Sequence, residues 1–271
     1  MMKGENMEIV GELINASRQP IKEAIEAQDT EYIKGIAKNQ QDAGANFIDV
    51  NAGVFAEQEG EYLKWLVTNV QEVVSIPCSI DSPNPKAIEA ALPVHQGIPL
   101  INSISLETER YDHLLPILSG SEYKVVALCI SDKGMPGNVD EIMANADKLV
   151  TGLTGVGVPI GNIYVDPLVK PISVNDSHGM EALEAIERIV KEYPGVHTVW
   201  GNSNLSFGVP KRWILNQVLA IAAISRGLDA AILNPLDKRL IAFIIAAETL
   251  AGKDECCMTY MKAYRKKKFE V

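Results

Sequence analysis

The stretch Glu8–Asn15, which reads EIVGELIN, sets a pattern that the rest of the chain repeats. Its β-branched and aliphatic residues predict a strand, and the polar elbow that follows leads into a longer segment with helical periodicity. In residues 21–43 the apolar side chains recur at a spacing that traces one helix face. Pro20 stands at the start of this segment and Gly44 directly after it, so we predict one helix over residues 21–43.

Eight such units follow one another. The predicted strands are residues 8–15, 47–51, 78–81, 100–105, 124–131, 163–166, 198–201 and 230–234. Strands that alternate with helices, without a linker or a shift in composition, predict an α/β fold of the (β/α)8 TIM barrel type, with residues 1–271 as a single domain. The alternative is an open, doubly wound sheet. That fold requires a glycine-rich phosphate motif after its first strand, where this chain reads Asn15-Ala16-Ser17-Arg18.

Composition narrows the function. The 271 residues carry a formal net charge of -10, which argues against sequence-independent binding to nucleic acid or to an anionic membrane. The longest apolar stretches are too short to cross a bilayer, and the amino terminus lacks a signal-peptide pattern. We therefore expect a cytoplasmic protein with neither a nucleic acid nor a membrane as its partner.

The four cysteines show neither a disulfide framework nor metal-ligand spacing, so no zinc or other metal site is predicted. Cys78 and Cys129 stand in predicted strands, where we expect small buried side chains. We interpret Cys256 and Cys257 as packing residues of a last helix.

Polar residues stand at the carboxyl end of every predicted strand. They are Asn15, Asp49, Asn51, Asp81, Asn102, Asp132, Asp166, Asn202, Asn204 and Asn234. In a barrel these positions converge on one mouth, so the pattern predicts a ring of amides and carboxylates around a shared cavity. The competing interpretation is helix capping, which is about as frequent for any single Asp or Asn after a strand.

Asp81 illustrates the choice between the two interpretations. It begins the sequence Asp81-Ser82-Pro83-Asn84-Pro85, in which Ser82 or Asn84 is sufficient to cap the next helix. We therefore predict that Asp81 faces the cavity.

Several short motifs, in order along nearly the whole chain, give it a family likeness. They are Gly11-Glu12-Leu13-Ile14-Asn15, Asp49-Val50-Asn51-Ala52-Gly53, Asp81-Ser82, Ile101-Asn102-Ser103-Ile104-Ser105, Asp166-Pro167-Leu168 and Gly201-Asn202-Ser203-Asn204-Leu205-Ser206. With them the sequence resembles the pterin-binding methyltransferases, namely the methyltetrahydrofolate:corrinoid protein methyltransferases and the folate domain of cobalamin-dependent methionine synthase.

The resemblance implies roles for individual residues. It implies that Asp81, Asn102 and Asp166 bind the amino-pyrimidine edge of a pterin, because a carboxylate accepts from two adjacent N–H groups and an amide both donates and accepts. Further pterin-binding residues are predicted at Asn51, Ser203 and Asn234. The catalytic residue is predicted to be Asn204, which matches an asparagine that lies close to the methylated pterin nitrogen.

The resemblance also implies the substrates and partners. Tetrahydrofolate or methyltetrahydrofolate is the expected substrate, and the second methyl carrier is a corrinoid (cobalamin), free or held by a partner protein. A homodimer is expected as well. The segment Asp176-Ser177-His178-Gly179 departs from the corrinoid signature D-x-H-x-x-G because its glycine comes too early. We therefore predict that His178 is a loop residue near the mouth and not a cobalt ligand.

Two alternative functions remain. Dihydropteroate synthase shares the expected barrel and pterin pocket, but its chemistry displaces pyrophosphate and requires basic residues near the last strands. The cations Lys238 and Arg239 are predicted to begin a helix and do not match that motif. A non-catalytic folate-binding module is the second alternative.

Overall fold

A computed structural model of the protein describes residues 6–269. The strands in this range are Glu8–Asn15 (β1), Phe47–Asn51 (β2), Cys78–Asp81 (β3), Leu100–Leu106 (β4), Lys124–Ser131 (β5), Ile163–Asp166 (β6), His197–Thr198 (β7) and Ala230–Leu233 (β8). The α-helices are Gln19–Glu26 (α1), Thr30–Ala43 (α2), Glu59–Gln71 (α3), Pro85–Ala91 (α4), Thr108–Leu118 (α5), Val139–Gly155 (α6), His178–Glu192 (α7), Arg212–Arg226 (α8), Lys238–Leu250 (α9) and Met258–Arg265 (α10).

All eight strands are parallel and are hydrogen-bonded in the order β7-β6-β5-β4-β3-β2-β1-β8. The two ends of this sheet meet just beyond β7. There the backbone N–H of Ile232 donates to the carbonyl of Trp200 over 2.9 Å, and the N–H of Asn202 donates to the carbonyl of Ile232 over 3.1 Å. These bonds close the sheet, which confirms the predicted (β/α)8 barrel and excludes the open sheet.

Period-two alternation divides the barrel interior into layers. The apolar layer consists of Val10, Phe47, Leu100, Val126, Tyr164, Val199 and Ala230. It fills the barrel, so the interior is a packed core. Residues two positions further along the strands, such as Glu12 after Val10 and Asp49 after Phe47, face the same interior at the carboxyl end. This second layer carries the polar residues Glu12, Asp49, Asn102 and Asp166 together with the apolar Leu128 and Ile232.

One predicted helix is wrong. Residues 21–43 form two helices, α1 and α2, separated by a turn in which Gln28 has a φ of +51°. The carboxylate of Asp29 accepts from the backbone N–H of Tyr32 over 3.1 Å and caps α2. This cap offers the backbone an alternative to a continuous helix, while the apolar face continues through both pieces. Gly44 ends α2 with a φ of +105°, as predicted.

Two further predictions need correction. Cys78 and Cys129 are buried as expected, but Cys256 and Cys257 are exposed. These last two form a short turn before α10, with φ values of +53° and +56°, so they cannot be packing residues of a helix. His178 is not a loop residue, because it is the first residue of α7 and is buried.

None of the helices within residues 6–269 combines the length and apolar character that a membrane crossing requires.

Candidate active site

A cavity of about 540 Å³ opens at the carboxyl ends of the strands. Five of the seven residues predicted to bind the pterin or to act in catalysis line it: Asp81, Asn102, Asp166, Ser203 and Asn204. They come from β3, β4, β6 and the loop after β7, and are separated by up to half of the chain. Barrel closure brings them together.

Asp81 reaches the cavity from the end of β3 and is free of helix capping. The carbonyl oxygen of the Asn84 side chain accepts from the N–H of Lys86 over 3.0 Å, so Asn84 caps α4 as the sequence indicated. The Nδ2 of Asn51 donates to Oδ2 of Asp81 over 2.9 Å. Burial raises the pKa of Asp81, and the bond from Asn51 opposes that rise.

Asp166, at the end of β6, is the second acid of the cavity. Its Oδ1 accepts from the backbone N–H of Leu168 over 2.8 Å. Burial outweighs this bond and raises the pKa of Asp166 to about 7. Both carboxyl groups are therefore poised near neutrality, where a ligand that presents N–H donors favours their charged form.

Asp49 is a third acid, and we did not single it out among the predicted ligand residues. Its Oδ1 accepts from Oγ of Ser79 over 2.6 Å and from Nδ2 of Asn102 over 3.3 Å. Burial, with the neighbouring Asp81, raises the pKa of Asp49 well above its usual range. The sequence did contain a signal for this position. Phe47 and Asp49 are two residues apart in β2, so their side chains lie on the same face of the strand.

Asn204 stands in the loop after β7, on the opposite side from Asp81, and is exposed to the open mouth. Its backbone N–H donates to the carbonyl of Gly201 over 3.2 Å. A Cβ added at Gly201 would lie 2.8 Å from Nδ2 of Asn204, so the amide occupies space that only glycine leaves open.

The structure places four polar strand-end residues away from the cavity lining. Asp132 accepts through Oδ1 from the backbone N–H of Thr108 over 3.0 Å. The side-chain oxygen of Asn234 accepts from the N–H of Leu236 over 2.9 Å in a turn. Asn51 lies behind Asp81, and its Oδ1 accepts from the N–H of Gly53 over 3.0 Å. Asn202 is buried and donates from Nδ2 to the carbonyl of Asn216 over 3.2 Å. A ligand-binding role for Asn51 or Asn234 stays a prediction.

Charged residues that the sequence did not single out also line the cavity. Arg18, after β1, pairs with Glu12 over 3.0 Å, and burial raises the pKa of Glu12. Arg110, on α5, donates to the carbonyl of Pro83 over 2.7 Å. Glu12 lies two residues after the inward-facing Val10 of β1, so the strand alternation indicates that it faces the cavity. Nothing in the local sequence indicates that the two arginines do so.

Within residues 6–269, no group of three or more His, Cys, Asp and Glu side chains is arranged to hold a metal ion. That a resident metal is lacking altogether stays a prediction.

A closed parallel barrel with a polar cavity at the carboxyl ends of its strands defines the (β/α)8 enzyme class. The family model for pterin binding enzymes matches residues 11–234, and the chain belongs to that family.

Relatives support this assignment. The chain is 34% identical to a methylcorrinoid:tetrahydrofolate methyltransferase of Eubacterium limosum over 264 residues, which cover 97% of each protein. It is 28% identical to methionine synthase of Mycobacterium tuberculosis over 83% of this chain, and the match spans only 20% of that longer protein.

Solved structures confirm the fold. A dihydropteroate synthase of Coxiella burnetii in complex with pteroic acid superposes with a TM-score of 0.71, at 16% identity, over 93% of this chain and 94% of that one. The corresponding enzyme of Yersinia pestis gives a TM-score of 0.68 at 14% identity, over 91% and 95%. At these identities the likeness is one of fold.

Proposed function

We propose that the protein transfers a methyl group between tetrahydrofolate and a corrinoid. The observation that carries the proposal is the 34% identity with a methylcorrinoid:tetrahydrofolate methyltransferase over 97% of both chains. The convergence of the predicted polar residues on one cavity supports it.

In this proposal the buried acids hold the pterin ring. The amino-pyrimidine edge of a pterin presents adjacent N–H donors and a carbonyl acceptor. Asp81 and Asp166 accept from the donors in their charged form, and Asn102 supplies a donor and an acceptor between them. A ligand that lacks these groups would leave buried polar atoms unpaired, which makes the site selective.

Asn204 is the proposed catalytic residue. Transfer from methyl–cobalt to tetrahydrofolate forms an N–CH₃ bond as the Co–CH₃ bond breaks, leaves cob(I)alamin and releases the proton of the pterin nitrogen. In the reverse direction that nitrogen must be protonated or hydrogen-bonded to leave. The Asn204 amide provides such a hydrogen bond in either direction, and the rest of the cavity positions the ring.

The corrinoid is proposed as a co-substrate, either free cobalamin or carried by a partner protein. His178 does not fit a role as cobalt ligand, because its ring is buried and Nδ1 lies 2.8 Å from the carbonyl oxygen of Pro171. The cobalt centre is therefore expected to enter through the open mouth, where Asn204 is exposed.

The cations near the last strand argue against pyrophosphate chemistry. Lys238 and Arg239 begin α9 as expected from the sequence, and the guanidinium of Arg239 lies 5.1 Å from the Trp213 ring. Neither residue is among those that line the cavity. Lys238 and Arg239 therefore give no support to a dihydropteroate synthase activity.

We also propose a homodimer in the cytoplasm. Helices α8 and α9 expose apolar side chains, among them Trp213, Val218 and Phe243, with exposed fractions of 45%, 58% and 41%. A second copy is the proposed cover of this face. The cytoplasm is proposed because Cys256 and Cys257 are exposed free thiols, and a reducing compartment keeps such thiols from forming disulfides. Val218→Lys should shift a dimer to a monomer in analytical ultracentrifugation, and a wild-type monomer would contradict the proposal.

A two-direction spectroscopic assay tests the activity. The protein is mixed with methylcobalamin and tetrahydrofolate, or with cob(I)alamin and methyltetrahydrofolate, and the cobalt spectrum is followed. We expect a spectral change that depends on enzyme concentration in at least one direction. Intact pterin binding without any change, also with a corrinoid protein as carrier, would favour the binding-module alternative.

A further inference from the structure

The cavity has an uneven distribution of charge. Asp49, Asp81 and Asp166 lie on β2, β3 and β6, and a fourth acid, Glu12, lies on β1. The positively charged residues among the described lining are Arg18 and Arg110. The chain as a whole has a net charge of -10, so guanidinium groups at this mouth stand against an acidic background. Such groups mark a place for an anionic part of a ligand.

The topology places Arg18 opposite the pterin-edge residues. Asp81, Asn102 and Asp166 lie at the ends of β3, β4 and β6, whose centre is between β4 and β5. In an eight-stranded ring in chain order, the opposite side lies between β8 and β1. Arg18 follows β1 by three residues, so it lies on that opposite side.

The covalent structure of folate determines how the molecule lies across the barrel mouth, from the β4–β5 side to the β8–β1 side. Its amino-pyrimidine edge is at one end of the fused ring, and its tail, a benzoyl group with one or more glutamates, leaves from the far ring. If the edge faces the acids on β3, β4 and β6, the tail leaves toward β8 and β1. This step rests on the proposed function. The tail ends in carboxylates. A positively charged side chain at the rim of the cavity between β8 and β1 would stabilise them there.

Arg110 cannot fill that role. It lies on the acid side, where Nη1 is 3.4 Å from Oγ of Ser103 and Nη2 donates to the carbonyl of Pro83 over 2.7 Å. Its charge also acts on Asp81. A tail directed there would have to fold back over the ring.

Arg18 is held in place and still has donors to offer. Its Nη2 contacts Oε1 of Glu12 over 3.0 Å, and its side chain remains 44% exposed. A guanidinium has five N–H donors, so one such contact leaves most of them free. Arg212 is close enough to lower the pKa of Glu12 through its charge. Two cations and one carboxylate leave this side of the mouth positive.

We propose that Arg18 binds the glutamate carboxylates of the folate tail. Glu12 orients the guanidinium, and the second positive charge nearby, on Arg212, adds to the attraction. Since Arg18 lies at the exposed rim, further glutamates of a longer tail remain in solvent, so one or two carboxylates account for the recognition.

Binding measurements with and without the tail test this proposal. We expect Arg18→Gln to weaken tetrahydrofolate binding about tenfold, the scale of a partly exposed charged hydrogen bond, with no change for 6-methyltetrahydropterin, which lacks the tail. Arg18→Lys should restore part of the loss because it keeps the charge. The tail-dependent part of the affinity should fall with added salt.

The control is Arg188→Gln, which removes an exposed arginine of α7 that pairs with Asp140 and Glu192. It should alter neither affinity. Equal losses for both ligands with Arg18→Gln, or no loss for tetrahydrofolate, would overturn the proposal while the proposed function stands. A wild-type protein that binds neither compound would overturn both.

Discussion

Asp81 and Asp166 are carboxyl groups that the barrel shields from much of the solvent, with Asp166 buried and Asp81 half-buried. Neither forms a salt bridge within 4.0 Å among the described residues, and burial raises the pKa of both. A site built in this way is costly without its ligand and strongly favoured with it, because the donors of the pterin edge compensate for the lost hydration.

Replacing either acid should therefore weaken binding. We expect Asp81→Ala and Asp166→Ala each to reduce the affinity for tetrahydrofolate by about 2–3 kcal/mol, the scale of a hydrogen bond to a charged group. Isothermal titration calorimetry under anaerobic conditions measures the effect. Asp132→Ala serves as the control, since Asp132 binds the N–H of Thr108 outside this cavity. Wild-type affinity in both acid variants would reject the pocket assignment.

Asn204 should affect turnover more than binding. If its hydrogen bond strengthens as the N–CH₃ bond changes, Asn204→Ala lowers kcat on the order of tenfold or more while KM changes little. Steady-state kinetics with methylcobalamin separates the two parameters. Gly201→Ala should lower kcat in the same way, because the new Cβ displaces the amide. An unchanged kcat in Asn204→Ala would remove this residue from the mechanism.

At the scale of elements, β1 and α2 depend on a close approach of backbone and side chain. The buried Gln40 of α2 accepts through Oε1 from the N–H of Leu13 over 3.1 Å. A Cβ at Gly11 would lie 2.5 Å from that oxygen. Glycine in β1 therefore lets α2 approach the strand that carries Glu12 into the cavity.

Two glycine substitutions in β1 and α2 should change the free energy of unfolding in opposite directions. Gly11→Ala should lower the free energy of unfolding by about 1–3 kcal/mol, because a packed core resists an added methyl group. Gly35→Ala, on the exposed face of α2 with nothing within 4 Å, should raise it by about 0.5–1 kcal/mol. Urea unfolding followed by circular dichroism measures both. Equal effects would show that the contact with Gln40 has no energetic role.

At the scale of the whole molecule, the buried acids determine how stability depends on pH. In the folded protein Asp166 keeps its proton up to a pH of about 7, whereas in the unfolded chain it loses it near 3.8. The native state therefore binds more protons between these values, and stability falls as the pH rises from about 4 to 7. The raised pKa values of Asp49 and Asp81 act in the same direction.

The ligand-free protein should thus be more stable at pH 5 than at pH 8. Asp166 alone contributes about 2.5 kcal/mol to this difference, because its folded state holds the extra proton only from pH 5 up to its pKa of about 7. Thermal unfolding at several pH values measures the slope, which Asp166→Asn should reduce. The remaining slope comes from the other buried acids and from His197, whose pKa Asp229 helps to raise. A stability that increases between pH 5 and 8 would contradict the prediction.

The sequence anticipated much of this barrel because its signals are local. The alternation in β2, the cap at Asn84 and the left-handed Gly44 each act within a few residues, so they can be recognised without knowledge of distant contacts. The sequence did not reveal the break between α1 and α2. The continuous apolar periodicity favours one helix, whereas the cap at Asp29 favours a new helix at Thr30. The apolar face alone does not reveal which one prevails.

The sequence by itself determined the eight-unit barrel, the ends of most strands and a polar mouth, although β7 is His197–Thr198 and not residues 198–201. Only the tertiary structure decided which polar residues line the cavity. Ser79 and Asn102, from β3 and β4, hold Asp49 at the cavity, and Asn51 stays out because its amide donates to Asp81 of β3. The raised pKa values of Asp49, Asp81 and Asp166 likewise depend on burial, which the closed barrel provides. Burial, and contacts between residues far apart in the sequence, form only when the barrel closes.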